Sequence, residues 1–228
     1  MAANDRSAAP DRRSLKRLRL ALWLVVLALA AVAVVLYVTL RPSARTGATA
    51  VPVSSTAAAS WAAGERRAPA FRLRDENGHS FSLAALRGRP VIVTFIDPLC
   101  RDYCPTEAKH LNDVANTFPA GEKPAIVAVN VNVGGATPGA LRRDARKWRL
   151  VPQWRWGLGS ERELTRVWHA YHIQVLVLSK TIQGIKVRDI GHTEAAYVID
   201  AKGYVRALFL WPYSAAGVVA TLRGLTGS

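Results

Sequence analysis

The stretch RGRPVIVTFIDPLCRDYCPTEAKHLNDVANTF, residues 87–118, decides how this chain is read. Its opening, RGRPVIVTFID at 87–97, is a nearly continuous β-branched run, the pattern of a strand buried on both faces. Its close, from Pro105, places Ala108, Leu111, Val114 or Ala115, and Phe118 at helical spacing. Pro105 suits the first position of that helix and Glu107 its first turn. Between strand and helix sit Cys100 and Cys104, the only cysteines of the chain, with three residues between them where a disulfide-exchange motif has two. Cys104 is thus expected at the mouth of a helix, where unpaired amides stabilise an anion and depress a thiol's pKa. A thiolate is both a nucleophile and a soft metal ligand, so this placement leaves a redox switch and a metal site both open. The third reading is a structural disulfide, though a bridge across so short a loop constrains little chain.

The flanking segments extend the pattern. AIVAVNV at 125–131 is a second buried strand, and 71–83 reads as a hairpin. In that hairpin Phe71 and Leu73, then Phe81 and Leu83, alternate with polar residues across an Asp75–Gly78 turn. Thr137-Pro138 opens a second helix with Leu141, Ala145 and Trp148 inward and Arg142, Arg143, Arg146, Lys147 and Arg149 on its wet side. Ser160 and Glu163 form a capping box for a third, whose buried stripe is Leu164, Val167, Trp168 and Tyr171. The chain ends in strand 194–199, turn Ala201-Lys202-Gly203, strand 204–210 and a helix near 214–225. Strand, helix, strand, then a terminal hairpin and helix is the order of a thioredoxin-like α/β fold, assigned here to residues 69–228.

The N-terminal part is of another kind. LALWLVVLALAAVAVVLYVTL, residues 20–40, carries no charge and as a helix spans about 30 Å, the thickness of a bilayer core. It is longer than the apolar region of a cleaved signal peptide, the competing reading suggested by Ala48-Thr49-Ala50. Six basic residues precede it (Arg6, Arg12, Arg13, Lys16, Arg17, Arg19), and only Arg41 and Arg45 follow closely. The positive-inside rule then keeps residues 1–19 in the cytoplasm and puts the rest outside a single-pass anchor in the cell membrane. Residues 41–68, rich in Ala, Ser, Thr, Pro and Gly, read as a flexible extracytoplasmic tether. The net charge of +15 suggests nucleic acid at first sight, but residues 1–68 account for +7 of it. The remainder lies outside the membrane, no nucleic-acid motif accompanies it, and a nucleic-acid partner is not expected.

The decisive residue outside the cysteine loop is His192, in KVRDIGHTEAAY at 186–197, just ahead of the terminal hairpin. A thioredoxin-like layout turns the loop before that strand toward the cysteines. Two thiolates and an imidazole make a soft, low-coordinate set that suits Cu(I), and the imidazole also suits Cu(II). Zinc requires a fourth ligand for its tetrahedron, and the sequence offers no obvious one. The remaining histidines receive plainer assignments. His110 is expected on a solvated helix face, His169 and His172 at a helix end, and His79 in the opening hairpin. Asp97, three residues before Cys100, either ends the strand or tunes the thiols, and it stands where a peroxiredoxin requires Thr.

FIDPLCRDYCP followed far downstream by GHTEAAYVIDAKGYV resembles the Sco/SenC copper proteins across the whole soluble domain and the N-terminal anchor. The resemblance implies a membrane-anchored, thioredoxin-fold copper chaperone that delivers copper to the copper A site of a cytochrome c oxidase subunit. It implies Cys100, Cys104 and His192 as ligands of a copper ion, Cu(I) or Cu(II), and a thiol reductant protein as a second partner. It also permits a thiol–disulfide oxidoreductase acting on a partner's cysteines. One departure stands out: the family commonly has Asp before the histidine, and this chain has Gly191, with Asp189 two residues further back.

Overall fold

The computed structural model describes residues 22–32, 56–135, 137–182 and 185–226. The chain forms two compact units, Met1–Val51 and Pro52–Ser228. In the first, residues 22–32 are helical with exposed side chains. The rest of the anchor expected at 20–40 lies outside the described residues, and no helix among those described is long and apolar enough to cross a membrane.

The second unit is built on β4 (Val91–Ile96), the strand expected from the opening stretch. All six of its residues are buried, and their alternation feeds two separate cores. Ile92 and Ile96 face a core completed by α1 (Tyr103–Asn116), α2 (Pro138–Lys147) and α4 (Ala215–Thr226), through Leu111, Leu141 and Leu222. Val91, Val93 and Phe95 face the other, formed by α3 (Glu161–Ala170) and the β2–β3 hairpin (Arg72–Arg74, Ser80–Ser82), through Leu164, Trp168, Leu73 and Phe81. Burying each such apolar side chain stabilises the fold by about 1.5–3 kcal/mol relative to exposure.

The main sheet has the order β1-β10-β9-β4-β5-β6, with β1 at Ala59–Ser60. Strands β4, β5 (Ala125–Asn130) and β6 (Trp154–Gly157) are parallel. Across the other edge of β4, β9 (Ala195–Ile199) runs antiparallel to it, and β10 (Val205–Leu210) runs antiparallel to β9. This is the expected mixed α/β fold, with helices on both faces of a central sheet. In the opening hairpin Leu73 pairs with Phe81, and Gly78 turns the chain at φ +85°, a conformation open to glycine.

Three features differ from expectation. Ala59–Ser60, expected in the tether, form an edge strand, β1, against Leu208 and Ala207 of β10; backbone pairing needs no apolar side chain. Helix α1 begins at Tyr103, two residues before Pro105; the first helical amides lack partners in any case, so proline is accommodated within the first turn. Strands β7 (Val175–Ile182) and β8 (Ile185–His192) form a ribbon separate from the main sheet, in a region for which no element was expected.

Candidate metal centre

Parallel strands β4 and β5 end side by side, and the segments leaving them build one wall of the site. The Asp97 main-chain carbonyl accepts from the Cys100 amide at 3.1 Å, and its side-chain Oδ1 accepts from the Leu99 amide at 2.8 Å. Oδ1 also accepts from Asn132 Nδ2 at 3.0 Å, tying the cysteine loop to the segment after β5. Asn132 is in turn held by Asn130, whose Oδ1 accepts from its amide at 2.8 Å. Asp97 therefore sits buried as the organiser of the loop. The Asp97 backbone also hydrogen-bonds the Cys104 thiol and pulls its pKa down, so the residue that ends the strand bears on the thiols as well.

This bracing puts the Cys100 sulfur 3.5 Å from the amide nitrogen of Cys104, in the first turn of α1. The helix-terminal amide thus points at Cys100, not at Cys104 as the sequence suggests. Cys104 is 1% exposed and packs in the core with Ala108 and Leu111. Burial pushes its thiol pKa up, and contact with the Cys100 thiol pushes it further in the same direction. Cys100 is half-buried at the rim, beside exposed Leu99 and Tyr103, and both cysteines are free thiols.

The opposite wall is the link between the β7–β8 ribbon and β9. His192 is the last residue of β8 rather than a loop residue. Thr193 fixes it from behind: its amide donates to the Gln174 carbonyl at 3.0 Å, and its hydroxyl accepts from the Gln174 amide at 3.1 Å. His192 Nδ1 lies 3.1 Å from the Thr193 carbonyl oxygen, so a proton on Nδ1 donates there and leaves the Nε2 lone pair free. A donor atom each from Cys104, His192 and Glu194 lie within 4.8 Å of one another. Cys104 and His192 are thus brought together, and the Cys100 sulfur adjoins Cys104.

Glu194 was not anticipated, and it joins Cys104 and His192 as the third member of the convergent donor group. The signal was present: His-x-Glu in an extended segment puts both side chains on one side. Glu194 is half-buried, which raises its pKa, while the His192 charge pulls it down.

Beneath the site lies a second unanticipated carboxyl. Glu107, expected in the first turn for its charge, is 1% exposed. Its Oε1 is 2.8 Å from Thr94 Oγ1 and 2.9 Å from the Tyr213 hydroxyl. Thr94 Oγ1 is also 3.1 Å from the Ala195 carbonyl oxygen, yet a hydroxyl has one proton. The Thr94 proton is shared between Glu107 Oε1 and the Ala195 carbonyl, and Tyr213 donates to the same carboxyl oxygen. Burial pushes the Glu107 pKa up to about 7 against the pull of the two hydroxyls, with the Glu194 charge adding to the rise.

The other histidines divide. His110 is not solvated: its ring meets Trp211 and Tyr213 edge-on at 5.6 and 5.5 Å, and desolvation lowers its pKa. His79 is exposed beside Asp75 at 3.5 Å, and His169 and His172 are exposed at the end of α3. The basic side chains of α2 are exposed as expected.

The SCO1/SenC family model matches residues 61–227. The chain belongs to the SCO1/SenC family. Among solved structures it resembles copper-bound ScoI of Bradyrhizobium japonicum, with 20% identity, a TM-score of 0.60, and coverage of 70% of this chain and 99% of that one. It also resembles BsSco, described as a member of the Sco family of cytochrome c oxidase assembly proteins with a disulfide switch. That match has 18% identity, a TM-score of 0.56, and coverage of 71% and 94%. These similarities establish the thioredoxin-like fold of the SCO1/SenC domain. A curated protein of Mycobacterium tuberculosis that bears the description "putative peroxiredoxin" is 30% identical over 164 residues, 69% of this chain and 90% of that protein. In the present chain the position three before Cys100 is the buried carboxylate of Asp97, with no hydroxyl to serve a peroxide. Gly191, at the SCO1/SenC position where Asp is common, has no left-handed backbone and would meet only Leu176 Cβ, at 4.0 Å, if it carried a Cβ. Asp189 does not replace that Asp beside the ligand, because strand alternation puts it on the face of β8 opposite His192.

Proposed function

We propose that this chain is a membrane-anchored copper chaperone whose domain works outside the cytoplasmic membrane. Copper is its cargo, held by the sulfurs of Cys100 and Cys104 and a ring nitrogen of His192, and passed to the copper A site of a cytochrome c oxidase subunit. One observation carries this reading. A buried thiol and an imidazole from distant parts of the chain present donor atoms within 4.8 Å, with a second free thiol against the first. Two sulfurs and a nitrogen are the donor set of a soft ion. The copper in the Bradyrhizobium relative supports the cargo, and the oxidase-assembly description of BsSco supports the acceptor.

The two sulfurs divide the work. Cys104, fully enclosed, anchors the ion, and Cys100, at the rim, is the sulfur that an acceptor's ligand displaces first. Loading requires both thiols reduced, so a partner dithiol supplies two electrons and two protons whenever the pair has closed to a disulfide. The uncharged run 20–40 anchors the chain with residues 1–19 cytoplasmic, and 41–68 gives the domain at 69–228 its reach.

Titration of the full-length chain with Cu(I) and with Cu(II) tests the proposal. One bound equivalent is expected, lost in Cys100→Ser and weakened about tenfold or more in His192→Ala. Undiminished affinity in Cys100→Ser overturns it. Resistance of the chain to alkaline extraction from membranes tests the anchor.

A second reading, a thiol–disulfide oxidoreductase, is favoured by the contact between the two free thiols. It requires the cysteines and not the histidine. Reductase activity untouched by His192→Ala, in a chain without copper affinity, would select it.

A further inference from the structure

We propose that Glu194 is a fourth, oxygen ligand that the site engages for Cu(II) and releases for Cu(I), so that the donor set follows the valence of the cargo. The inference rests on the copper reading above and goes beyond its three ligands.

The geometry comes first. One carboxylate oxygen of Glu194 lies within 4.8 Å of both the Cys104 sulfur and a His192 ring nitrogen. Even at that limit a point between the three stands about 2.8 Å from each, and a contraction of about 0.6 Å reaches bonding distance. The main chain on either side is already fixed. Thr193 is bonded to Gln174, and the Glu194 carbonyl accepts from the Trp211 amide at 3.1 Å. The carboxylate can therefore approach or withdraw by side-chain rotation alone. Its oxygens accept no hydrogen bond among the described residues, although the residue is half-buried. Neither oxygen is among the fully enclosed orphaned polar atoms, so the carboxylate stays accessible to an ion arriving between it, Cys104 and His192.

The chemistry then separates the valences. Cu(I) is a soft, closed-shell ion satisfied by two sulfurs and an imidazole, and it gains little from an oxygen anion. Cu(II) is harder and prefers four donors in a tetragonal arrangement that includes nitrogen and oxygen. With Cys100, Cys104 and His192 the Glu194 oxygen makes up four. Gly191 offers no side chain, so the acidic group that the family commonly carries before the histidine is supplied here from the other side of it.

The experiment measures both valences on the full-length chain solubilised in detergent, for wild type, Glu194→Gln and Glu194→Ala. Cu(I) affinity is read anaerobically by competition with a chromogenic chelator, and Cu(II) affinity by competition with an amino-acid chelator. Both variants should lose about tenfold or more in Cu(II) affinity and stay within about threefold of wild type for Cu(I). The parallel hyperfine splitting of the Cu(II) electron paramagnetic resonance spectrum should also change. Equal loss for both valences, or loss for neither, overturns the proposal. Thermal unfolding of the metal-free variants separates a folding defect from a lost ligand, and Gln keeps the shape of Glu. If wild type binds no copper, or binds it without Cys100, the copper reading itself falls. If wild type binds through its cysteines and the two variants match it, only the fourth ligand falls.

Discussion

Replacing Glu107 with Gln should remove most of the fold's dependence on pH near neutrality. The carboxyl ordinarily titrates at 4.5 and is pushed up to about 7 in the fold. Between those values the native state keeps a proton that the unfolded chain has released. Stability is therefore fully present below the lower value and falls as pH rises toward the upper one. The loss integrates to about 3 kcal/mol, a large part of a domain's net stability. Gln, neutral at every pH, incurs no such loss and sacrifices about 1 kcal/mol for one imperfect hydrogen bond to Thr94 or Tyr213. The variant should be slightly less stable than wild type at about pH 5 and more stable by about 2 kcal/mol at about pH 8. Urea unfolding of the metal-free chain, followed by the fluorescence of its seven tryptophans, measures the difference at each pH. The shifted Glu194 and His110 are present in both proteins and largely cancel. Parallel pH curves would refute the upward shift that burial imposes on the Glu107 carboxyl.

Two further substitutions probe the walls of the site. Asp97→Ala frees the Leu99 amide and Asn132 Nδ2 at once while leaving the main-chain bond to the Cys100 amide; it should cost about 1–3 kcal/mol in urea unfolding and lower copper affinity about tenfold or more by loosening the cysteine loop. Gly191→Asp meets open space and ordinary backbone, so its thermal stability should stay within about 1 kcal/mol of wild type; a large loss would contradict the placement of β8.

How much was legible depended on how far apart the causes lay. Strand β4, helix α3 with its Ser160–Glu163 box, and the β9–β10 hairpin were readable because period and capping act within a few residues. Strands β7 and β8 were not. They pair with each other as a ribbon, so Leu176, Val177 and Leu178 lie exposed and the alternation of a half-buried strand never develops. His110 was misplaced because its neighbours in the helix suggest a wet face, whereas Trp211 and Tyr213 arrive from the far end of the chain to cover it. The helix-mouth amide was assigned to the wrong sulfur for a similar reason. Spacing puts Cys104 at a helix mouth, but only packing buries it and turns its amide toward Cys100.

The chain's residue order determined the α/β alternation, the paired sulfurs at the end of a central strand, and a histidine ahead of the last hairpin, since each is written in contiguous residues. Folding alone decided what those groups meet. The Glu107 pKa rises because folding buries the carboxyl between segments distant in sequence, and Glu194 became a neighbour of Cys104 because β9 pairs antiparallel with β4. Burial and proximity are sums over segments distant in sequence, and a carboxylate carries no local mark of the water it will lose.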